Sequence, residues 1–253
     1  MTAVPFTTFV FIATFGAAML GFAAQRFLPR TYADESTAGS VKVVLGMISV
    51  LTTVVFGFIT ADAKKSFDNA AKIITDTAVR LVSIDRALAD FGADAVQIRG
   101  EIKQVAEGLI TRVNSPEGYV PSARRMVERG EELEDLVGKI ARLTPQSEMQ
   151  AKEQARAMEL AAGILHDRWV LATERAASSP TVFLLIVLAW LALQFLAFGL
   201  FASRNVFVVL ATVLASLTVA SGMFVVLDLE GPMTGPMRVS TRALEWAVAI
   251  MGQ

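Results

Sequence analysis

The chain has 253 residues, 54% of them hydrophobic, and a mean hydropathy of +0.52, too apolar for an ordinary soluble domain. A formal net charge of -1 gives no electrostatic case for a nucleic-acid partner. The absence of cysteine and the presence of one histidine, His166, exclude disulfides, thiolate metal sites, a Cys nucleophile and His clusters for zinc or haem.

Charge is absent from Thr2 to Gln25, from Val43 to Ala61, from Ala176 to Ser203 and from Asn205 to Leu227. A hydrocarbon core about 30 Å thick needs about 20 apolar residues in a helix. The runs therefore predict four transmembrane helices, at 5–26, 42–61, 181–203 and 206–227. The first lacks a basic n-region, and its apolar stretch outruns an h-region of about 7–15 residues, which argues against a signal peptide. Ser179-Pro180 suits the start of the third, with Ser as N-cap and Pro in the first turn.

An even number of spans puts both termini and the segment 62–180 on one side. That side carries Lys64, Lys65 and Lys72, Arg168 and Arg175, then Arg238 and Arg242, against Arg26, Arg30, Lys42 and Arg204 on the other. The positive-inside bias makes the termini and the insert cytoplasmic, with the protein multi-pass in the cell (inner) membrane.

The insert carries 17 Lys+Arg and 19 Asp+Glu, so it is highly charged yet nearly balanced. Phe67, Ala70, Ile74, Thr77, Leu81, Ile84, Leu88, Phe91, Ala95, Ile98, Ile102, Val105 and Leu109 follow alternating steps of three and four, the pattern of a coiled-coil seam. Gly92 is a point of breakage or kinking within it. A turn at Asn114-Ser115-Pro116-Glu117-Gly118 precedes a second stripe, Met126, Leu133, Leu136, Ile140 and Leu143, interrupted by Arg129. Thr144-Pro145 reads as an N-cap and first-turn Pro. A third stripe follows, Ala155, Met158, Ala162, Leu165, Trp169, Ala172 and Ala176. The expected architecture is all-α: two spans (1–61), a cytoplasmic three-helix bundle (62–180), two spans (181–227) and a tail (228–253). In that tail an acidic Pro/Gly turn leads to a short amphipathic helix, with Trp246 at the membrane interface beside Leu244, Val248 and Met251.

Several stretches resemble the bestrophin-like family of prokaryotic and plant membrane proteins, whose members have two spans, a helical insert and two spans. They are Lys65-Ser66-Phe67, Leu81-Val82-Ser83-Ile84-Asp85-Arg86, Phe91-Gly92, Asp167-Arg168-Trp169 and Phe198-Gly199-Leu200-Phe201. A C-terminal block is similar to the family's, on Asp228, Leu229, Glu230, Gly231, Pro232, Met233, Gly235 and Ser240. Glu230 stands there in place of Asp, and Met233 in place of Phe. The family's name points to bestrophins, four-span oligomeric chloride channels, so the resemblance implies the fold and makes ion conduction the first activity to weigh.

The candidate sites each carry two readings. In span two, Gly46, Ser49, Thr53, Gly57 and Thr60 share one face, which suits a pore wall, but small and hydroxyl residues are also the usual glue between membrane helices. The same holds for Ala13, Ala17 and Gly21 in span one, and for Ala211, Ala215, Thr218 and Gly222 in span four. No span has a charge near its centre, which counts against transport coupled through buried carboxylates. Asp228 and Glu230, with Pro232 and Gly235 turning the chain after them, would form an acidic ring at a pore mouth in a symmetric oligomer and concentrate cations there. Alternatively they pair with Arg238, Arg242 or Lys64. Asp85 and Arg168 flank seam positions and are expected to meet as a structural ion pair. His166 reads as a surface or seam-edge residue, and Trp169 as core.

These readings add up to a homo-oligomeric membrane protein conducting inorganic ions passively, with no enzymatic site, no cofactor and no metal. The alternative is a non-conducting scaffold or sensor whose bundle docks a cytoplasmic protein.

Overall fold

A computed structural model describes residues 3–27, 35–115, 123–177, 181–203, 205–233 and 235–251. Ser179-Pro180, Arg30, Arg204 and the Pro116-Glu117-Gly118 part of the expected turn lie outside them, as do the side chains of Met126, Arg129, Ala172, Arg175 and Ala176. The helices are α1 (Ala3–Ala24), α2 (Glu35–Ala89), α3 (Val96–Val113), α4 (Ala123–Arg142), α5 (Glu148–Ala177), α6 (Thr181–Phe201), α7 (Val206–Glu230) and α8 (Arg242–Ile250), with a 3-10 turn at Gly92–Ala95. No strand occurs among the described residues. Four of the helices are long and apolar enough to cross a membrane: α1, the apolar part of α2, α6 and α7.

Two units divide the chain: Met1–Lys65 with Ser179–Glu230, and Ser66–Ser178 with Gly231–Gln253. In the first, α1 packs on α6 and α7. The buried stripe of α1 is Phe6, Val10, Thr14, Ala18 and Gly21. Thr14 satisfies its hydroxyl on the Val10 carbonyl at 2.9 Å, so a polar residue can sit fully enclosed in an apolar layer. At the crossing of α1 and α6 the backbones nearly touch. A Cβ at Gly21 would strike the Leu196 carbonyl, and one at Gly199 the Ala18 carbonyl. Gln25 closes the same interface by donating to the carbonyls of Gly199 (2.9 Å) and Ala202 (2.7 Å), two acceptors that the C-terminal turn of a helix leaves open. The inward stripe of α7 is Thr212, Ser216, Ala220 and Met223. The expected one is turned outward, with Ala211, Ala215 and Thr218 exposed, because small residues occur on both faces of this helix.

The second unit is a helical bundle whose core follows the predicted seam. Ala70, Ile74, Thr77, Leu81, Ile84, Leu88, Phe91, Ala95, Ile98 and Ile102 are all buried. The helix does not run straight through, however. Gly92 takes φ 59°, the left-handed region open to glycine. From there α3 folds back along α2, so Arg99 reaches Asp85 while Val105 and Leu109 stand opposite Ile73 and Ile74. The heptad pattern thus supplies both arms of one hairpin.

Two details of α5 differ from expectation. It begins at Glu148, capped by Ser147, whose hydroxyl accepts the Gln150 N–H at 3.1 Å, while the Gln150 side chain reaches back to the Gln146 N–H at 2.7 Å. Ser147-x-x-Gln150 therefore starts the helix, in place of Thr144-Pro145. Its buried stripe is Gln154, Ala157, Ala161 and Ile164, and Trp169 is 54% exposed. The shift has a physical cause: Gln154 donates to the carbonyls of Ile140 and Leu143, both at 2.8 Å, and closes the C-terminal end of α4.

With the hairpin of α2 and α3 followed by α4 and α5, among the described residues α8 is a fifth helix in the bundle, where three were expected. α8 packs on α3 and buries Leu244, Ala247 and Met251 in the bundle core, with Met233 and Val239 before it. The apolar face assigned to a membrane interface is spent on that core, and Trp246 stays exposed on the other side of the helix.

Candidate functional site

The span-two stripe stands on the least enclosed of the four apolar helices. Only 6% of the apolar window of α2 is buried within the chain, against 22–28% for the other three. Gly46, Thr53 and Gly57 are exposed, Ser49 and Thr60 partly so, and a Cβ added at Gly46 or Gly57 would meet nothing within 4 Å. Thr53 and Thr60 donate to the carbonyls one turn back, those of Ser49 and Phe56, both at 2.8 Å. With those protons committed, the two hydroxyls offer lone pairs outward.

At the edge of this stripe the structure makes a polar clamp. Ser49 is 2.6 Å from the Gln194 amide oxygen on α6 and 2.8 Å from its own Leu45 carbonyl, so one hydroxyl proton has two acceptors. The Gln194 amide nitrogen donates to Thr52 at 3.0 Å, and Thr52 donates to Ile48 at 2.7 Å. Phe56 lies over Gly222 of α7, where a Cβ would come within 3.3 Å of the ring. Thus Ser49, Thr52 and Phe56 hold the inner side of α2, and Gly46, Thr53 and Gly57 look away from it. Sequence reasoning missed Gln194. It searched the spans for charges, whereas the informative residue is the one side-chain amide between Ala176 and Ser203.

At the end of α7, Asp228 and Glu230 fall within the last turn and differ in environment. Asp228 is 2% exposed. Glu230 is part-exposed, with the Asp62 carboxylate of α2 within electrostatic reach. In the loop after them, the Pro232 carbonyl accepts the Val239 N–H at 2.9 Å. Arg238, an expected partner of the acids, donates instead to the carbonyls of Gly235 (2.8 Å) and Ser115 (3.3 Å). Pro232 and Gly235 therefore shape a turn whose carbonyls are tied down within the bundle unit.

Asp85 takes Arg99 as its partner, rather than the expected Arg168. Arg99 Nε lies 2.7 Å from Oδ1 and Nη2 lies 3.0 Å from Oδ2, a bidentate pair around a carboxylate that is almost fully buried. The hydrogen bond to Asp85 holds the Arg99 guanidinium above its ordinary pKa, against the opposing effect of burial. The hairpin at Gly92 explains the exchange of partners, since it brings Arg99 of α3 to the flank of α2. Arg168 lines an apolar cavity of about 90 Å³ inside the bundle, with Ile73, Ile74, Thr77, Leu109 and Arg112. His166 is exposed. Among the described residues no group of three or more His, Asp or Glu side chains is arranged to hold a metal ion.

The family model for a Bestrophin-like domain matches residues 12–244. Two structures of a bacterial bestrophin homologue from Klebsiella pneumoniae, each with one substitution, align over nearly both chains. One is 16% identical with a TM-score of 0.64, covering 97% of this chain and 99% of that one. The other is 14% identical with a TM-score of 0.65, covering 100% and 99%. A further structure, described as a membrane protein, is 14% identical with a TM-score of 0.67 over 96% and 97%. At such identities the likeness shows the fold alone. No curated protein matches the sequence.

Proposed function

The chain belongs to the bestrophin-like family of multi-pass membrane proteins, and from that membership we propose that it assembles as a homo-oligomer whose span-two faces line a passive ion path. The observation that carries this reading is the outward stripe of Gly46, Thr53 and Gly57 on a helix with little burial inside its own chain. A membrane helix so weakly packed on its own subunit gains close contact by meeting copies of itself, and small residues allow either close approach or a hydrated gap. Hydroxyls whose protons are committed to backbone carbonyls present oxygens to a passing ion. Bestrophins, as chloride channels, supply the reaction class. In such an oligomer Glu230 and Asp62 would repeat around the axis, and their charge would concentrate cations at its mouth. The bundle and both termini are assigned to the cytoplasm by the lysines and arginines of that side.

A second reading draws on the exposed Val79, Met149 and Trp169 of the bundle, which suit a non-conducting scaffold that docks a cytoplasmic protein. Flux measurements on the purified protein in liposomes separate the two. Potassium or chloride flux from monodisperse oligomers supports the path, and the Asp228→Asn/Glu230→Gln double variant reads out its charge preference. No flux from well-assembled protein at any voltage or pH favours the scaffold.

A further inference from the structure

We infer that Gln194 is the positioning residue of the ion path: its amide, held between Ser49 and Thr52, sets the rotation of α2 and so the direction its open face looks. This rests on the path reading above. The bilayer core offers no water to a side-chain amide, so Gln194 must find polar partners within the protein. It hydrogen-bonds twice to α2, at 2.6 Å to Ser49 and 3.0 Å to Thr52. Ser49 and Thr52 are three residues apart and share a face, so a single amide can span them. Turning α2 by one residue would carry both hydroxyls out of reach together.

The chemistry also fixes which way the amide lies. The Thr52 hydroxyl spends its proton on the Ile48 carbonyl and can only accept from Gln194, so the amide nitrogen faces Thr52 and the oxygen faces Ser49. Ser49 has a second acceptor, the Leu45 carbonyl at 2.8 Å. Without Gln194, Ser49 turns back onto its own helix and stays satisfied, as does Thr52. Removing the amide therefore releases α2 to rotate while leaving no buried donor orphaned. That separates a positioning role from a simple folding role. The apolar contact of Phe56 with Gly222 and the buried Thr52 side chain also hold this side of α2, and neither fixes rotation by direction.

The natural absence of cysteine permits a direct test. Thr53→Cys is placed on the open face and Leu20→Cys on an exposed position of α1 as control, each with and without Gln194→Leu, in the full-length protein in liposomes. The rate of modification by a membrane-impermeant aqueous thiol reagent is measured beside oligomer size. The expected result is that Gln194→Leu changes the rate at Thr53→Cys by about threefold or more, the scale of one interhelical membrane hydrogen bond, with oligomer size and the Leu20→Cys control unchanged. An unchanged rate at a reactive Thr53→Cys overturns the role of Gln194 and leaves the path reading standing. A Thr53→Cys that never reacts, with Gln194 intact, overturns the path reading itself and this inference with it. Should Gln194→Leu not assemble, Thr52→Val removes the other end of the clamp and is read by the same criteria.

Discussion

Arg99 clasps Asp85 with two donors, Nε to Oδ1 at 2.7 Å and Nη2 to Oδ2 at 3.0 Å, across the turn at Gly92 that folds α3 back on α2. Asp85 is 1% exposed, so loss of the guanidinium strands a buried carboxylate. Arg99→Ala is expected to cost about 3 kcal/mol or more, and the Asp85→Ala/Arg99→Ala pair less than the sum of its parts. Thermal unfolding of the detergent-solubilised protein in a double-mutant cycle measures this. The pH dependence has a definite sign. The folded-state pKa of Arg99 is raised above the ordinary guanidinium value, so its contribution is complete below that ordinary value and is lost only as pH rises through the folded-state one. Stability carried by Arg99 is therefore constant from neutral pH to mildly alkaline pH.

The close crossing of α1 and α6 predicts a sharp contrast among glycines of one helix. Gly21→Ala places a methyl against the Leu196 carbonyl, and Gly199→Ala places one against that of Ala18; each obstacle is backbone and cannot rotate away. Each variant should lose about 2 kcal/mol or more, seen as a fall in monodisperse yield and melting temperature. Gly16→Ala, where a Cβ meets nothing within 4 Å, should match the parent protein.

How much of this was readable beforehand depended on how strongly each helix face was marked. The seam through Leu81, Ile84, Leu88, Ile98 and Ile102 was legible because large apolar residues alternate with charges, so only one face can be buried. The stripe on α5 was misplaced by one position because alanines lie on both sides of it: Ala155 and Ala162 are exposed, Ala157 and Ala161 buried. What decides between them is Gln154, a polar residue buried for its hydrogen bonds, and periodicity of apolar residues is blind to it. The same blindness hid Gln194. The partner of Asp85 depended on the direction of the chain after Gly92, which a continuous heptad register does not reveal. The expected span boundary at Ala61 leaves no mark on α2, since Asp62-Ala63-Lys64-Lys65 contains no helix breaker and the helix continues to Ala89.

Gln154 yields its own prediction. It closes the end of α4 through the carbonyls of Ile140 and Leu143. Gln154→Leu keeps the approximate volume and removes both bonds, leaving the Leu143 carbonyl without its amide donor and the Ile140 carbonyl with only the Leu143 N–H at 3.2 Å. A loss of about 1–3 kcal/mol is expected. Amide hydrogen exchange should show it as lowered protection in the last turn of α4, with α3 unaffected. Equal loss of protection in both helices would instead mean that Gln154 supports the whole bundle core.

The two acids of the last α7 turn should separate under mutation because the chain encloses one and leaves the other accessible. Asp228 is 2% exposed, whereas Glu230 is part-exposed and shares its surroundings with the exposed Asp62. Rings of charged side chains that ions meet directly at a pore mouth set its charge preference, whereas an enclosed carboxylate is held in place by the groups packed around it. Glu230→Gln and Asp62→Asn are therefore expected to lower the potassium-to-chloride permeability ratio of liposome flux, and to do so more strongly together. Asp228→Ala is expected to lower the melting temperature by an amount equivalent to about 2 kcal/mol while leaving that ratio unchanged in the protein that still assembles. If Asp228→Asn alone removes the charge preference and Glu230→Gln does not, the buried acid rather than the accessible one faces the path.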